Sequence, residues 1–427
     1  MHLATPFWYN AILAVLKPLY RQRLKKRSGH LADFADELTE RFGPFQPPKN
    51  QNVLWFHAVS VGETNAAQPL IEHYLQAGQA VLVTNTTRTG QARAKTLFLK
   101  KYPGLFQAVF LPVDQKDLID QFLELYQPRV LALMETELWP NLLERVQLQE
   151  IPMLLLNARL SKKSAQGYAR LKRLTAPMLE QLDWIAAQDE ATLQRFSVLG
   201  KSPRQMSVVG NIKFDIQPPS KFILQAARLR QDWQLESRQV ITLASTHAPE
   251  EQKLLQMLQP HLKQHPEQLC IVVPRHPERF DEVFTLIQSM NLRVQRRSKG
   301  EQIQADTQVY LADSMGELWL WYALSQACIV GGSFNTPGGG HNILEPMSLQ
   351  VATVIGPNYF NFQSIADEFL QEQGLIVAED EVNAIEQIQH LLQDNAFRQA
   401  QVEQATAVLS RNQGALQRHI CLLDQYL

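Results

Sequence analysis

Short, mostly apolar runs alternate along most of the chain with longer stretches in which apolar residues recur at helical spacing. A first series of runs covers residues 53–58, 80–84, 108–111, 130–134, 153–156, 184–187 and 207–210, and a second covers 240–244, 270–273, 308–311, 327–330 and 352–355. Strands that are apolar at every position are typical of a parallel sheet covered by helices on both faces. The pattern therefore predicts an α/β protein with two Rossmann-like parallel-sheet domains.

A polar segment with two consecutive prolines, residues 215–220, separates the two series. We therefore expect an N-terminal domain over residues 31–217, which begins with a linker at 31–50, and a C-terminal domain over 218–427. The last predicted helix, residues 395–425, could cross back onto the first domain. Ligands bind such sheets at the carboxyl ends of their strands, and we expect the two domains to face each other across a cleft.

The first 30 residues depart from this alternation. Residues 7–16 are almost wholly apolar, and a basic cluster follows at Lys17, Arg21, Arg23, Lys25, Lys26 and Arg27. The run is shorter than the roughly 20 residues of a spanning helix, and the charge follows it, unlike in a signal peptide. This order favours a membrane anchor over residues 1–30 on an anionic, cytoplasmic leaflet. The alternative is a helix that packs on the protein's own core and leaves its basic face in solvent.

Composition excludes several classes of protein. The formal net charge of −1 over 427 residues gives no general attraction to nucleic acid. Cys270, Cys328 and Cys421 lie far apart without metal-binding spacing, which predicts no metal site. The glycine fingerprints of dinucleotide-binding and P-loop proteins are also missing from the sequence, and we predict no cofactor.

A glycine-rich stretch over residues 331–346 follows the apolar run 327–330. Gly331, Gly332 and Ser333 come first, and a helix is predicted to begin at Asn342. Backbone N–H groups and a helix start directed at one point suit a phosphate, and Glu345, one turn into the helix, could accept hydrogen bonds from a ribose diol. The alternative is a flexible surface loop with a routine helix start.

Glu63 follows an apolar run and a glycine, at the start of a predicted helix. A helix N-terminus favours the ionised form of a carboxyl group, which would leave Glu63 ready to accept a proton near neutral pH. The alternative is an ordinary acidic residue in a first helical turn.

Further charged residues stand at the ends of predicted strands in the first series. Glu135 and Glu137 end the fourth run, and Arg159 ends the fifth. Glu135 and Arg159 could form an ion pair between neighbouring strand ends, or they could serve the reaction. Lys213, next to the predicted interdomain linker, could pair with a substrate carboxylate or phosphate.

The second series carries similar groups at its strand ends. Ser245 and Thr246 could donate hydroxyl hydrogen bonds to a phosphate, and Arg275 and His276 lie in a Pro-Arg-His-Pro turn that suits an anionic or nucleotide group. Each of these has the alternative of a surface turn with solvated charges.

Taken in order, these motifs resemble the 3-deoxy-D-manno-octulosonic acid (Kdo) transferase family. The resemblance covers almost the whole chain and rests on Ser60-Val61-Gly62-Glu63, Met134-Glu135-Thr136-Glu137-Leu138-Trp139-Pro140-Asn141, Asn157-Ala158-Arg159-Leu160-Ser161, Lys213-Phe214-Asp215, Pro274-Arg275-His276-Pro277-Glu278-Arg279, Met315-Gly316-Glu317-Leu318, Gly331-Gly332-Ser333 and Gly339-Gly340-His341-Asn342. It implies an inverting, metal-independent glycosyltransferase of GT-B fold. The substrates would be CMP-Kdo and a lipid A precursor of lipopolysaccharide, met at the cytoplasmic face of the inner membrane.

The resemblance also implies roles for individual residues. The glutamate that matches Glu63 acts as general base, and the C-terminal domain holds the cytidine nucleotide. Candidates for binding the acceptor or Kdo are Glu137, Arg159, Asn211 and Lys213. Candidates for binding CMP are Ser245, Thr246, Arg275, His276, Gly331, Gly332, Ser333, Asn342 and Glu345. The loop between Gly332 and Gly339 varies, so no role is carried onto residues 334–337.

Two other functions stay open at this point. One is another GT-B enzyme that uses a UDP-sugar, or a nucleotide-sugar epimerase. The other is a non-catalytic, membrane-tethered carbohydrate-binding protein, in which Glu63 would be dispensable.

Overall fold

A computed structural model of the chain describes residues 4–427, which divide into two compact units. The first unit runs up to Asp215 and includes Gln413–Leu427, and the second is Ile216–Asn412. Each unit is built on a parallel sheet of seven strands. The last segment of the predicted second domain, residues 413–427, thus belongs to the first unit.

The sheet of the first unit has the strand order β3-β2-β1-β4-β5-β6-β7. Its strands are β1 Leu54–His57, β2 Val81–Asn85, β3 Phe106–Phe110, β4 Val130–Met134, β5 Met153–Ala158, β6 Trp184–Ala187 and β7 Met206–Val208. Its helices are α1 Phe7–Ser28, α2 Phe34–Phe42, α3 Val61–Gln76, α4 Arg88–Phe98, α5 Lys116–Tyr126, α6 Pro140–Leu148, α7 Lys162–Arg170, α8 Lys172–Glu180 and α9 Glu190–Val198.

Both faces of this sheet are covered, which explains why its central strands are apolar at most positions. Leu54 and Phe56 of β1 pack into the core on one face, and Trp55 packs into the core on the other, because successive side chains of a strand point to opposite faces. All four positions of β1 are buried.

The predicted linker at residues 31–50 contains a helix instead. Helix α2 buries Glu37 and Arg41, whose side chains form an ion pair at 3.0 Å. The charged composition of this segment suggested exposed chain, but the two charges neutralise each other within the fold.

Helix α1 leaves most of its apolar side chains exposed. Phe7, Val15 and Leu19 are 86%, 69% and 57% exposed, whereas Leu24 near the far end is buried. The hydroxyl of Tyr9 donates to Asp114 at 2.7 Å and fastens the beginning of the helix to the unit. Among residues 4–427, no helix is both long enough and apolar enough to cross a membrane.

The sheet of the second unit has the order β10-β11-β9-β8-β12-β13-β14. Its strands are β8 Gln239–Thr246, β9 Gln268–Pro274, β10 Val294–Arg296, β11 Val309–Leu311, β12 Ala327–Val330, β13 Ala352–Ile355 and β14 Ile376–Val377. Its helices are α10 Ser220–Asp232, α11 Glu250–Gln264, α12 Phe280–Ser289, α13 Leu318–Leu324, α14 Leu344–Ser348, α15 Gln363–Gln371, α16 Glu381–Gln393 and α17 Asn395–Asn412.

Each sheet reverses its direction of winding at one point. In the first unit this point lies between β1 and β4, and in the second it lies between β8 and β12. The crevice at the carboxyl ends of such a strand pair is where open α/β sheets bind ligands. The motifs that begin at Ser60, Glu135 and Gly331 each follow one of these four strands, and Ser245 lies at the end of β8.

The chain returns to the first unit through a helix that differs from the one predicted at residues 395–425. Helix α17 ends at Asn412, Gly414 adopts a left-handed conformation with φ +86°, and a separate helix α18, Ala415–Leu423, follows. The carboxylate of Asp215 accepts hydrogen bonds from the N–H groups of Gly414 and Leu416. Ile420 of α18 then joins the core on the α3 face of the first sheet.

Candidate active site

Glu63 is held at the start of α3 by a reciprocal pair of caps. The hydroxyl of Ser60 accepts from the Glu63 N–H at 3.3 Å, and it donates to the Glu63 carboxylate at 3.1 Å. The other carboxylate oxygen accepts from the Val59 N–H at 2.7 Å. This capping box fixes the side chain against the loop that follows β1.

The environment of Glu63 raises its pKa, contrary to the expectation from the helix N-terminus. Burial is the largest cause, the charges of Glu135 and Glu137 add to it, and together they bring the pKa of Glu63 to about 7. Burial and like charges therefore outweigh the hydrogen bonds to the ionised form. Near neutral pH this carboxyl group is present in both forms, which suits a group that takes up and gives back a proton.

Two further carboxyl groups follow β4 and find different partners. Glu137 accepts from the indole N–H of Trp139 at 3.2 Å, and burial raises the pKa of Glu137 to about 7. Glu135 has a left-handed backbone with φ +58°, and its carboxylate pairs with the Lys213 ammonium at 3.2 Å. Glu135 and Glu137, two positions apart, thus contact different partners.

The ion pair that we considered between Glu135 and Arg159 does not form, because Lys213 takes that place. Arg159 meets Glu135 through its backbone, where its N–H donates to the Glu135 carbonyl at 3.3 Å. Its own carbonyl accepts from the Thr136 hydroxyl. The backbone of Arg159, just after β5, therefore lies beside that of Glu135 and Thr136.

Asn211 supports Lys213 from within the same turn. The side-chain oxygen of Asn211 accepts from the Lys213 N–H at 3.1 Å, and that of Asn157 accepts from the Ile212 N–H at 3.1 Å. The structure thus joins Glu63, Glu135, Glu137 and Lys213 into one charged group at the switch point of the first sheet.

In the second unit, the N–H groups that we expected to bind a phosphate are already used. The Gly331 N–H donates to the Ala244 carbonyl at 2.8 Å, and the Gly332 N–H donates to the Glu250 carboxylate at 2.8 Å. The hydroxyl of Ser333 donates to the Val330 carbonyl. The prediction that Gly331 and Gly332 offer free backbone donors was therefore wrong.

The absence of a side chain at Gly331 has a steric reason instead. A Cβ there would lie 2.8 Å from the Cα of Thr246 and 3.0 Å from the Ser245 carbonyl oxygen. The glycine thus permits β12 to approach the end of β8. The helix that we expected to begin at Asn342 is α14, which begins at Leu344 and has only five residues.

Other predicted nucleotide contacts do lie together. The N–H of Arg275 donates to the carbonyl of Thr246 at 3.0 Å. The hydroxyl oxygen of Thr246 is buried and has no hydrogen-bond partner among residues 4–427. Asn342 donates to the Glu345 carboxylate at 3.1 Å, and burial raises the pKa of Glu345.

Two histidines that the sequence analysis missed lie among these groups. The Nε2 atoms of His247 and His341 are 2.8 Å apart, and His276 packs edge-on against His247. Their positions in the sequence offered a signal, because His247 follows Ser245-Thr246 directly and His341 follows three glycines.

No group of three or more histidine, cysteine or acidic side chains within residues 4–427 is arranged to hold a metal ion.

Solved structures with the same fold define the class. UDP-GlcNAc 2-epimerase from Neisseria meningitidis, bound to UDP-GlcNAc, matches with a TM-score of 0.56 at 13% identity, over 87% of this chain and 99% of that one. A glycosyltransferase from Rickettsia africae matches with a TM-score of 0.51 at 12% identity, over 88% of this chain and 99% of that one. The chain thus has a GT-B-like fold.

Sequence comparison gives the family. Residues 36–216 match the family model for 3-deoxy-D-manno-octulosonic-acid transferase (kdotransferase). The 3-deoxy-D-manno-octulosonic acid transferase of Haemophilus influenzae is 36% identical over 97% of this chain and 94% of its own length, and that of Bordetella pertussis is 34% identical over 95% of both. The chain belongs to the Kdo transferase family and is a glycosyltransferase, which confirms the predicted family and class of enzyme.

The solved structure of a single domain is also similar to this chain in sequence. The C-terminal CMP-Kdo binding domain of WaaA from Acinetobacter baumannii is 59% identical, covers 45% of this chain and 99% of its own length, and has a TM-score of 0.44.

Proposed function

We propose that this protein transfers Kdo from CMP-Kdo to a lipid A precursor in the synthesis of the lipopolysaccharide inner core. Transfer would invert the anomeric centre and use Glu63 as general base. The observation that carries the mechanism is the Glu63 carboxyl group at the switch point of the first sheet, with a pKa brought to about 7 by burial and neighbouring carboxylates.

The first unit would activate the acceptor. Glu63 removes the proton of the attacking hydroxyl while the Kdo ring passes through an oxocarbenium-like state, as in related glycoside chemistry. A positioned base of this kind contributes about 10²–10⁴-fold. Burial, with a smaller contribution from the charges of Glu135 and Glu137, keeps the pKa of Glu63 high enough for this exchange.

Cations beside the carboxyl groups would hold the sugar. Kdo carries a carboxylate. The Lys213 ammonium pairs with the Glu135 carboxylate, and Arg159 brings a second cation to the end of β5, where its backbone N–H donates to the Glu135 carbonyl. We assign the Kdo carboxylate to these two groups, with Asn211 holding the backbone of Lys213 in place.

The second unit would hold the leaving nucleotide. The unpartnered hydroxyl of Thr246 and the cationic side chain of Arg275 suit the phosphate, and Glu345, oriented by Asn342, suits the ribose diol. Because the glycine N–H groups are taken, side chains rather than backbone would neutralise the phosphate as CMP departs.

The test of the base is Glu63→Gln, with Glu72→Gln as matched control on the same helix. Purified proteins are given CMP-Kdo and a lipid A precursor, and products are measured by mass spectrometry. We expect Glu63→Gln to lose 10²–10⁴-fold in turnover, to bind CMP with unchanged affinity, and Glu72→Gln to stay active. Near-normal turnover of Glu63→Gln would remove Glu63 as base.

We also propose that α1 holds the enzyme at the cytoplasmic face of the inner membrane, where its lipid acceptor resides. Its exposed apolar residues include Phe7 and Val15, and a basic cluster follows them, a combination that suits an anionic lipid surface. Phe7→Ser/Val15→Ser should weaken binding to vesicles that contain anionic lipid. Val198→Ser, at an apolar residue that is 80% exposed on α9, is the control. Equal vesicle binding by both variants would refute the anchor.

A further inference from the structure

Two histidines of the second unit stand with ring nitrogens in direct contact. The Nε2 atoms of His247 and His341 are 2.8 Å apart, and the rings are stacked with 6° between their planes. A hydrogen bond between two ring nitrogens needs one donor and one acceptor, so the pair holds a single proton between its Nε2 atoms. The glycosyltransferase assignment gives this proton no role.

The fold holds this pair in place through a buried carboxylate. Glu250 accepts from the His247 N–H at 2.9 Å and from the Gly332 N–H at 2.8 Å. At Gly332, an added Cβ would lie 2.9 Å from the Nε2 atom of His341. Glu250 therefore positions the backbone beside the two rings, and the absence of a side chain at Gly332 leaves room for their contact.

The charges around the pair are mostly positive or already neutralised. Arg275 and His276 act on both rings, and Arg279 acts on His247 but is paired with Glu251 at 2.7 Å. The carboxylate of Glu250 faces the backbone N–H groups of the loop.

Burial, followed by His276, lowers the pKa of His247. For His341, burial and then His247 lower the pKa to about 4. The pair is therefore neutral near pH 7 in the free protein, in surroundings that favour an anion.

We propose that the His247–His341 pair is a proton-coupled contact for the phosphate of CMP. A phosphate oxygen replaces the hydrogen bond between the rings, both Nε2 atoms become donors, and the pair takes up one proton from solvent. This rests on the proposed function, because it places the nucleotide at this switch point.

The proton also balances the charge of the reaction. When the bond between the anomeric carbon of Kdo and the phosphate oxygen breaks, its electron pair stays on the phosphate and adds a negative charge. The imidazolium offsets that charge, while the proton of the acceptor hydroxyl goes to Glu63. The proton of the pair returns to solvent when CMP leaves.

Calorimetric titration of the whole protein with CMP measures the proton directly, from the heats in two buffers that differ in ionisation enthalpy. We expect about one proton taken up per CMP. Between about pH 8.5 and 7, where the CMP phosphate stays ionised, the affinity should rise roughly tenfold for each pH unit of acidification.

His341→Gln separates donation from protonation, since an amide N–H can donate but takes up no proton. We expect this variant to bind CMP more weakly, with no proton uptake and a flat pH dependence, and His247→Gln to behave alike. His265→Gln, at an exposed histidine paired with Glu267, is the control and should match the parent protein.

CMP binding without net proton uptake by the parent protein would overturn the proposal, since the rings would then have exchanged tautomers. Uptake that persists in His341→Gln would also overturn it. If CMP does not bind the parent protein at all, both the proposed sugar donor, CMP-Kdo, and this proposal are refuted.

Discussion

Replacing Glu63 with glutamine is expected to stabilise the folded protein at alkaline pH while it removes the proposed base. Glutamine has nearly the same shape, keeps an oxygen for the Val59 N–H, and turns its NH₂ group toward the Ser60 hydroxyl, which can accept. The variant thus keeps the local contacts and loses only the ability to ionise.

The magnitude follows from the pKa of Glu63, which is about 7 in the folded protein against an ordinary 4.5. A proton that binds more tightly in the folded state stabilises it fully below pH 4.5, and this stabilisation is lost as the pH rises through 7. Since the residue is only partly buried, we expect a loss of about 2–3 kcal/mol across this window in the parent protein. The glutamine variant does not titrate and escapes this loss.

The assay is urea unfolding of parent and variant at a series of pH values from about 4 to 8.5, which brackets the two pKa values. The free energy of unfolding of the variant, minus that of the parent, should grow by about 2–3 kcal/mol over this range. Glu72→Gln reports the effect of the same chemical change at an ion-paired position of α3. A difference that stays constant with pH would refute the raised pKa, and with it the reason for assigning the base to Glu63.

Three further outcomes are expected. Glu135→Gln removes a like charge that raises the pKa of Glu63, so the midpoint of the rise in kcat/KM with pH should move to lower pH; an unchanged midpoint would contradict this coupling. Glu250→Ala leaves three buried or partly buried N–H groups without an acceptor, which should lower the free energy of unfolding by about 1–3 kcal/mol for each group. The melting temperature measured by calorimetry should therefore fall. A melting temperature equal to that of the parent would argue against these hydrogen bonds. Tyr9→Phe removes the hydrogen bond to Asp114 and should lower the stability of the α1 contact by about 1 kcal/mol. Limited proteolysis should then cleave α1 faster. An unchanged cleavage rate would show that this bond does not hold the helix in place.

The sheets were predictable where a strand is buried on both faces, because nearly every position is then apolar. The central strands of both units are mostly apolar, although β1 ends in His57 and β8 includes Thr242. By contrast, β10, Val294–Arg296, is half-buried and carries polar residues, and β14 has only two residues. β10 produces no continuous apolar run, and β14 lies within a short one, residues 375–378, that the sequence analysis did not include. Both strands lie at sheet edges. The break at Gly414 was missed because a single glycine within a helical pattern is ambiguous.

The candidate site, like the sheets, was predictable from the sequence only in part. The sequence places Glu63, Glu135 and Ser245 at strand ends, since strand and helix patterns are local. It does not show that Glu250, 82 residues before Gly332, takes the loop's N–H groups. Nor does it show that burial, together with the carboxylates that follow β4, reverses the effect of the helix N-terminus on the pKa of Glu63. Both depend on contacts between distant parts of the chain.

The helix that returns to the first unit also affects how the protein is made. Leu416 reaches Asp215 across 201 positions, and Ile420 shares a core with Leu70 and Ile71. A nascent chain therefore leaves part of one face of the first sheet uncovered until the whole second unit has left the ribosome. Domains usually fold in the order of their synthesis, but here the part made first is finished last, and its apolar face needs protection during that interval.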